Sequence, residues 1–142
     1  MARYAEETKS LGGIPVLVTP LTRRTFKGAY LHDDLGPWAE ATRRAAAQEH
    51  AALLDLNTDS AAAVQAMGQD EADTLAMAPP PAALKTAAVD PNKVERAGAA
   101  KSAFDRTHLG AKGSDLFARM VEGEMVRALP ETRAYFKNGG KS

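Results

Sequence analysis

The 142-residue sequence contains no cysteine. This absence excludes a disulfide framework, zinc sites built on thiolates and catalysis by a cysteine nucleophile. It leaves the cellular compartment open, because chains without thiols occur on either side of a membrane.

An excess of charge of one sign and a long apolar run are lacking as well. Eighteen Lys and Arg residues balance eighteen Asp and Glu residues, so the basic surface typical of a nucleic-acid-binding domain is not indicated. The longest strongly apolar run, at residues 14–18, is far shorter than the roughly 20 residues that span a bilayer. The first ten residues mix charges and lack the apolar core of a secretory signal. We therefore expect neither nucleic acid nor a membrane as a partner.

Two short apolar segments predict β-strands. Residues 14–18 (IPVLV) are apolar throughout and predict a parallel strand buried on both faces, and residues 51–56 (AALLDL) predict a second buried strand. Helical patterns alternate with them, at residues 2–11, 38–50 and 60–68 and along a stripe of Phe117, Val121, Met125 and Leu129. This alternation predicts an α/β fold with a parallel sheet.

The segment between the first strand and the second helix carries turn-forming residues without a period. Residues 20–36 therefore predict a long loop that leaves the carboxyl end of the first strand. Pro37 suits a first helical position. In the helix that follows, we expect Trp38, Ala41 and Ala45 to face inward, with Trp38 as a core anchor.

The chain predicts one domain with an incomplete sheet. Residues 78–103 contain nine alanines and four prolines, which indicates an insertion, and residues 137–142 predict a flexible tail. Two strands are too few for a parallel sheet covered on both faces. We therefore expect residues 1–136 to be the carboxyl-terminal part of a larger domain, or a piece that another chain completes.

The residues most suggestive of chemistry are Asp105 and His108, in the segment FDRTHLGAKGSDLFARM. An aspartate three residues before a histidine can place its carboxylate beside Nδ1 and leave Nε2 free as a general base toward a serine hydroxyl. The spacing also fits a simpler interpretation, in which Asp105 caps a turn and His108 is a partly exposed residue at a helix entrance.

Three segments of the sequence resemble one family in the same order. GGIPVLVTPLTRRTF, AAAQEHAALLDLN and FDRTHLGAKGSDLFARMV are similar to successive segments of the SGNH hydrolases, and within them to carbohydrate esterases of the rhamnogalacturonan acetylesterase type. The resemblance implies a three-layer α/β/α sandwich of flavodoxin-like type and a serine that attacks an acetyl ester without a cofactor. It assigns the orienting carboxylate to Asp105 and the base to His108, and it implies a secreted or periplasmic protein.

The sequence departs from this family at the nucleophile. It has no Gly-Asp-Ser element, and the glycine and Gly-x-Asn-Asp blocks of the oxyanion hole are missing. Its five serines, none at a strand-to-helix turn, are Ser10, Ser60, Ser102, Ser114 and Ser142. We therefore expect a truncated enzyme that lacks the amino-terminal half of its domain and has little or no esterase activity alone.

Two arginines and a cluster of one histidine and two aspartates are candidates for ligand binding. Arg23 and Arg24 follow the first strand, where they could contact an acidic pectic chain or simply lie on the surface of a loop. The cluster of His32, Asp33 and Asp34 cannot converge on one ion, because neighbouring residues point apart. No metal site or cofactor is predicted.

The predicted function is hydrolysis of acetyl esters on a plant cell-wall polysaccharide such as rhamnogalacturonan. Two alternatives stay open: an SGNH esterase for another acyl ester, such as a lipid ester or acetylated xylan, and a non-catalytic α/β interaction module completed by a partner chain. Whatever the function, the isolated chain lacks neighbouring strands and should therefore expose apolar sheet edges and be poorly soluble, partly disordered or oligomeric.

Overall fold

The computed structural model describes residues 1–81 and 104–136, which form a mixed α/β fold. The helices are α1 (Ala2–Ser10), α2 (Gly36–Gln48), α3 (Leu56–Asp73) and α4 (Ala111–Ala128), followed by a 3-10 helix at Pro130–Tyr135. The strands are β1 (Val16–Val18), β2 (Phe26–Lys27), β3 (Tyr30–Leu31) and β4 (Ala52–Leu54). Within the described ranges, no helix is both long enough and apolar enough to cross a lipid bilayer. The predicted α/β class is confirmed.

Strands β1 and β4 form a parallel pair, as the sequence predicts. Val16 lies opposite Ala52, and Val18 lies opposite Leu54. Parallel strands need a crossover connection, and residues 19–51 supply it with helix α2 in its second half. Thr19 and Asp55 therefore follow the two strands at the same end of the sheet.

The prediction that residues 14–18 are buried on both faces is wrong. Leu17 is buried, but Val18 is 41% exposed and Ile14 is 70% exposed. Among the described residues, β1 pairs with β4 and with no other strand. A parallel strand needs neighbours on both edges and cover on both faces to bury all of its side chains, and here one edge of β1 is open.

The first core cluster joins α1 and α2 to one face of the sheet. Ala5, Leu17 and Ala46 are its buried members, and Leu53 packs against them. The expected inward face of α2 is shifted, since Ala39, Thr42 and Ala46 are buried while Trp38 is 69% exposed. Small residues let α2 approach the strands closely, so the large indole is directed outward and does not anchor the core.

The second core cluster joins α3, α4 and a hairpin. Its buried members are Val64, Ala72, Leu75 and Phe117, and Phe26, Leu31, Leu116 and Met120 are among the residues that pack against them. The hairpin, β2 and β3, corrects the prediction of a featureless loop at residues 20–36. Its turn contains Gly28 with φ +65°, a value that glycine adopts without steric cost.

Helix α3 is broken by Gly68, where the sequence predicts its end. Gly68 has φ 74° and ψ 172° inside the span, and helix continues on both sides of it. The break lets Val64 and Ala72 both face the second core cluster. Of the predicted insertion at 78–103, residues 82–103 lie outside the described part of the chain, as does the predicted tail at 137–142.

Candidate functional site

The candidate site is the loop from Phe104 to Gly110, which leads into α4. Phe104 is buried at its start. At its end, Leu109 forms an antiparallel bridge with Ala76, and the backbone N–H of Gly110 donates to the carbonyl of Leu75 over 2.9 Å. A side chain at Gly110 would place its Cβ 2.5 Å from the carbonyl oxygen of Ala76. Glycine therefore allows the close approach that fixes this end of the loop.

Asp105 uses its two carboxylate oxygens for different partners. Oδ1 accepts hydrogen bonds from the backbone N–H groups of Thr107 at 2.7 Å and His108 at 2.6 Å. Oδ2 lies 2.9 Å from Nδ1 of the His108 imidazole. The turn-capping interpretation and the orienting interpretation of Asp105 therefore both describe its geometry, because the same carboxylate closes the turn and contacts the ring.

The electrostatics of Asp105 fix the direction of the bond to the ring. The hydrogen bond from the backbone N–H of His108, the bond from its ring and the backbone N–H of Thr107 lower the pKa of Asp105 to about 2. Near neutral pH the carboxylate is ionised and can only accept, so Nδ1 of His108 must donate. In the neutral ring, Nε2 then carries a lone pair that can accept a proton.

The ring of His108 faces solvent. Its side chain is 73% exposed, and that of Asp105 is 43% exposed. Among the described residues, Asp105 supplies the one side-chain hydrogen bond to the imidazole. Nε2 is therefore accessible to a molecule or a chain that approaches from outside.

Arg24 lies beneath this loop, not on the surface where the sequence places it. The residue is 1% exposed. Its Nη2 donates to the carbonyl oxygens of His108 at 2.8 Å and Asp105 at 3.2 Å. In this structure the guanidinium contacts the loop backbone and is not accessible to a polysaccharide.

A second arginine holds the loop from the side of α3. Arg106 forms a two-point ion pair with Asp73, with Nε–Oδ1 and Nη2–Oδ2 distances of 2.9 and 3.0 Å. Gln69 donates to Oδ1 of Asp73 at 2.7 Å and to the carbonyl of Arg24 at 3.2 Å. The guanidinium of Arg106 also lies 5.4 Å from the ring centroid of Phe104. The loop is thus fixed to two elements that are distant in sequence.

Arg23 retains a surface position. Its Nη1 lies 2.6 Å from Oδ2 of Asp34, and both side chains are partly exposed. The guanidinium of Arg23 is therefore accessible to an acidic chain, as the sequence-based suggestion requires, but it is already paired with a carboxylate. The structure separates the two arginines into one surface residue and one buried residue.

Polar side chains also join the carboxyl ends of β1 and β4. Thr19 donates to Oδ1 of Asp55 at 3.1 Å, and Arg43 binds both oxygens of Asp55 at 2.9 Å. Burial opposes ionisation of Asp55, yet hydrogen bonds from Arg43, Thr58 and Thr19 outweigh it and lower the pKa of this carboxyl. Glu124 of α4 accepts from the backbone N–H of Asp55 at 3.2 Å, and burial raises its pKa. This cluster stabilises the end of the sheet.

The described serines have local roles. Ser60 is fully buried, accepts from the backbone N–H of Thr22 at 2.9 Å and donates to the carbonyl of Asn57. Ser10 donates to the carbonyl of Glu7 in α1, and Ser114 lies exposed in the first turn of α4. None of these three forms a hydrogen bond with His108. Ser102 and Ser142 lie outside the described residues.

The described part of the chain offers the pair no metal cluster. In residues 1–81 and 104–136 there is no group of three or more His, Cys, Asp or Glu side chains arranged to hold a metal ion. One depression is bordered by Arg106 and Asp73 and by Ala78–Pro80, and His108 does not line it. The hydrogen-bonded pair thus lies at the surface, with the ring of His108 open to solvent.

Comparisons with known proteins assign no family to this arrangement. No protein-family model, no curated protein and no solved structure matches the chain.

Sequence reasoning identified the pair and missed its support. Asp105 and His108 are three residues apart, so their contact could be anticipated from spacing. Gln69 and Asp73 lie on one helical face at a separation of four residues, a spacing that predicts contact between them but not with Arg106. No local signal marks Arg24 as buried, because its partners lie 81 and 84 positions away.

Proposed function

We propose that this chain carries the general base and the orienting carboxylate of a serine-dependent ester hydrolase. Its reaction is the removal of acetyl groups from a plant cell-wall polysaccharide such as rhamnogalacturonan, on a three-layer sandwich of the SGNH type. One observation carries the proposal: Nδ1 of His108 lies 2.9 Å from Oδ2 of Asp105, while the ring is mostly exposed.

The pair would act in two steps. Nε2 of His108 takes the proton of a serine hydroxyl while the serine oxygen attacks the acetyl carbonyl carbon, and Asp105 stabilises the imidazolium that forms. The ester C–O bond then breaks, and the sugar oxygen takes the proton from Nε2. In the second step Nε2 deprotonates water, which attacks the acyl-serine. The acyl–serine bond breaks, the proton on Nε2 returns to the serine oxygen, and acetic acid leaves and loses its own proton to solvent.

The nucleophile and the oxyanion donors belong, in this proposal, to a polypeptide segment outside these 142 residues. The open edge of β1 supports this, because among the described residues no strand besides β4 pairs with β1, and the apolar side chains of Ile14 and Val18 are exposed. Unpaired strand edges with apolar side chains are favoured sites for strand addition. The three-layer sandwich would then be completed on the β1 side.

The same open edge also favours a second candidate function, a non-catalytic module that completes its sheet with a partner chain. The two functions differ in what the partner supplies. A partner strand that brings a serine and oxyanion donors makes an esterase, whereas a partner that brings only a strand makes a structural complex in which His108 has no substrate.

Complementation tests the esterase proposal. The chain is co-expressed with the amino-terminal half of a rhamnogalacturonan acetylesterase-type enzyme that contains Gly-Asp-Ser and the oxyanion blocks but lacks its own Asp-x-x-His block. We expect release of acetate from the pair of polypeptides and none above background from either alone. A stable complex without acetate release on any ester would support the structural module and contradict the esterase.

The substrate class is tested in the same complex with three esters. Acetylated rhamnogalacturonan, acetylated xylan and p-nitrophenyl acetate are compared by kcat/KM. The proposal predicts the highest value for acetylated rhamnogalacturonan. A preference for xylan, or activity on the small ester alone, would reject the polysaccharide assigned here while leaving the base assignment intact.

A further inference from the structure

Arg24 contacts the candidate loop at three of its residues. Its Nη2 has two hydrogens, and these point to the carbonyl oxygens of Asp105 at 3.2 Å and His108 at 2.8 Å. Its backbone N–H donates to the carbonyl of Arg106, which lies between them, at 3.1 Å. The residue therefore spans the turn from below, on the side opposite the exposed imidazole.

The burial of Arg24 is energetically unfavourable in itself. Its Nε is buried without a hydrogen-bond partner among the described residues. Loss of water around the guanidinium lowers the pKa of Arg24, although the charges of Asp105 and Asp73 oppose that shift. Apolar side chains of similar volume often replace buried charges without loss of stability. Stability alone therefore does not explain an arginine at this position. The geometry of its contacts does.

That geometry concerns the distance between two backbone positions. Asp105 and His108 contact each other through side chains, so the separation of their main chains sets the separation of Nδ1 and Oδ2. A single planar group that binds the carbonyls of both residues holds this separation fixed. Arginine suits the task because its hydrogens have fixed directions.

We infer that Arg24 is the positioning residue of the Asp105–His108 pair: its buried guanidinium fixes the backbone of the loop and so keeps the imidazole on the carboxylate. The geometric part of this inference concerns the chain alone, and its effect on ester hydrolysis rests on the proposed function. Arg24 does not contact the reacting atoms.

The direct readout is the tautomer of His108. The 142-residue chain is labelled with 15N-histidine, and the ring-nitrogen shifts are recorded in alkaline buffer, where an ordinary imidazole is neutral. Comparison with His108→Asn assigns the signals. We expect the Nδ1–H form to predominate in the unaltered protein, because Asp105 accepts that proton. A neutral ring without a partner exchanges between both tautomers.

Four variants separate positioning from general destabilisation. In Arg24→Met we expect a mixture of tautomers, because both carbonyl contacts are lost. Arg24→Lys should restore the Nδ1–H form in part, since an ammonium can reach one carbonyl. Asp105→Ala is the positive control and should lose the preference entirely. Arg43→Met is the matched control, because it removes a partly buried ion pair with Asp55 but no contact with the loop.

The outcomes are distinguishable. An unchanged tautomer in folded Arg24→Met, together with its loss in Asp105→Ala, would overturn the inference about Arg24 and leave the pair intact. If Arg43→Met loses the Nδ1–H preference of His108 as much as Arg24→Met does, the inference is also overturned, since the effect would then be unspecific. If Arg24→Met does not fold, Arg24→Lys decides: a tautomer ratio identical to that of the unaltered chain would contradict the inference.

Absence of the Nδ1–H form in the unaltered chain would instead count against the pair itself and so against the proposed function. In the complemented enzyme, Arg24→Met should lower kcat by about 10²-fold, because small displacements of a catalytic group cost about this much. KM should change little, since Arg24 does not touch substrate. A rise in KM with constant kcat would assign Arg24 to substrate binding and contradict positioning.

Discussion

Among the single residues of the site, Asp105 determines its local geometry. One of its oxygens closes the turn through two backbone N–H groups, and the other holds the ring of His108. The first contact fixes the carboxylate in space, and the second uses that fixed position to orient the imidazole. A residue that only capped the turn would leave the second oxygen to water.

The pKa of Asp105 provides a test of this geometry. Three hydrogen bonds favour its ionised form and lower its pKa from 3.8 to about 2. The ionised carboxylate therefore stabilises the folded loop above about pH 3.8, and this contribution is lost as the pH falls through about 2. Titration of the carboxyl carbon by NMR measures the value directly.

Replacement of His108 by Asn refines that test. We expect the pKa of Asp105 to rise, because the ring no longer donates to Oδ2. It should stay below the ordinary value of 3.8, because the backbone N–H groups of residues 107 and 108 still donate to Oδ1. An unchanged pKa would show that the ring does not bind the carboxylate in solution.

Sequence spacing predicts one contact of this loop and cannot predict another. Asp105 and His108 could be paired from the sequence, because the two residues between them limit how far apart their side chains lie. The contact of Arg24 with the same loop depends on how the whole chain folds. The sequence placed Arg24 with Arg23 on a surface loop, and only the tertiary structure distinguishes the buried residue from the exposed one.

At the element scale, helix α4 connects the site to the second core cluster. Phe117 anchors it in the core, and its first turn packs tightly against the segment that follows α3. A Cβ at Gly113 would lie 2.5 Å from the carbonyl oxygen of Leu75. The position of the preceding loop therefore depends on a glycine that allows backbone contact.

Two glycines of α4 provide a matched pair of variants. Gly113→Ala should destabilise the protein by about 1–3 kcal/mol, because backbone must move to admit the methyl group. Gly123→Ala, in the same helix with nothing within 4 Å of the added Cβ, should stabilise it by up to about 1 kcal/mol through helix propensity. Urea unfolding followed by circular dichroism measures both free energies of unfolding, and equal effects of the two variants would contradict the packing described here.

Element types were largely predictable, and the faces they bury were less so. Apolar segments correctly predicted β1 and β4, because short runs with β-branched or leucine residues favour strands. The hairpin of β2 and β3 was missed, since each strand has two residues and no alternating pattern of useful length. The face of α2 was shifted because tryptophan was expected to lie inside, whereas alanines pack closest to the sheet.

For the molecule as a whole, the main feature of the described residues is a parallel sheet with one open edge. β1 pairs with β4 on one side, and the exposed residues Tyr4, Ile14 and Val18 border one depression along β1. That β1 and β4 form a small parallel sheet was predictable from the two apolar segments. The sequence could not predict which edge lacks a neighbour, because the order of strands in a sheet depends on contacts between distant parts of the chain.

Self-association should depend on that edge. We expect the isolated chain to form oligomers, and the double variant Ile14→Lys/Val18→Lys to reduce them, because charged side chains at a strand edge oppose edge-to-edge pairing. Tyr135→Lys is the control, since Tyr135 is 85% exposed and lies in the 3-10 helix, outside the sheet. Sedimentation velocity distinguishes the species. An unaltered chain that is monomeric and unfolds in one sharp cooperative transition would contradict the expectation.

His108 is proposed to be a general base, and the rate of acetate release in the complemented enzyme measures that role. His108→Asn is compared with His50→Asn, because His50 is also exposed and its φ of 47° is one that asparagine tolerates. We predict a fall in kcat of about 10²- to 10⁴-fold for His108→Asn and an unchanged rate for His50→Asn. Full activity of an intact complex that carries His108→Asn would contradict it.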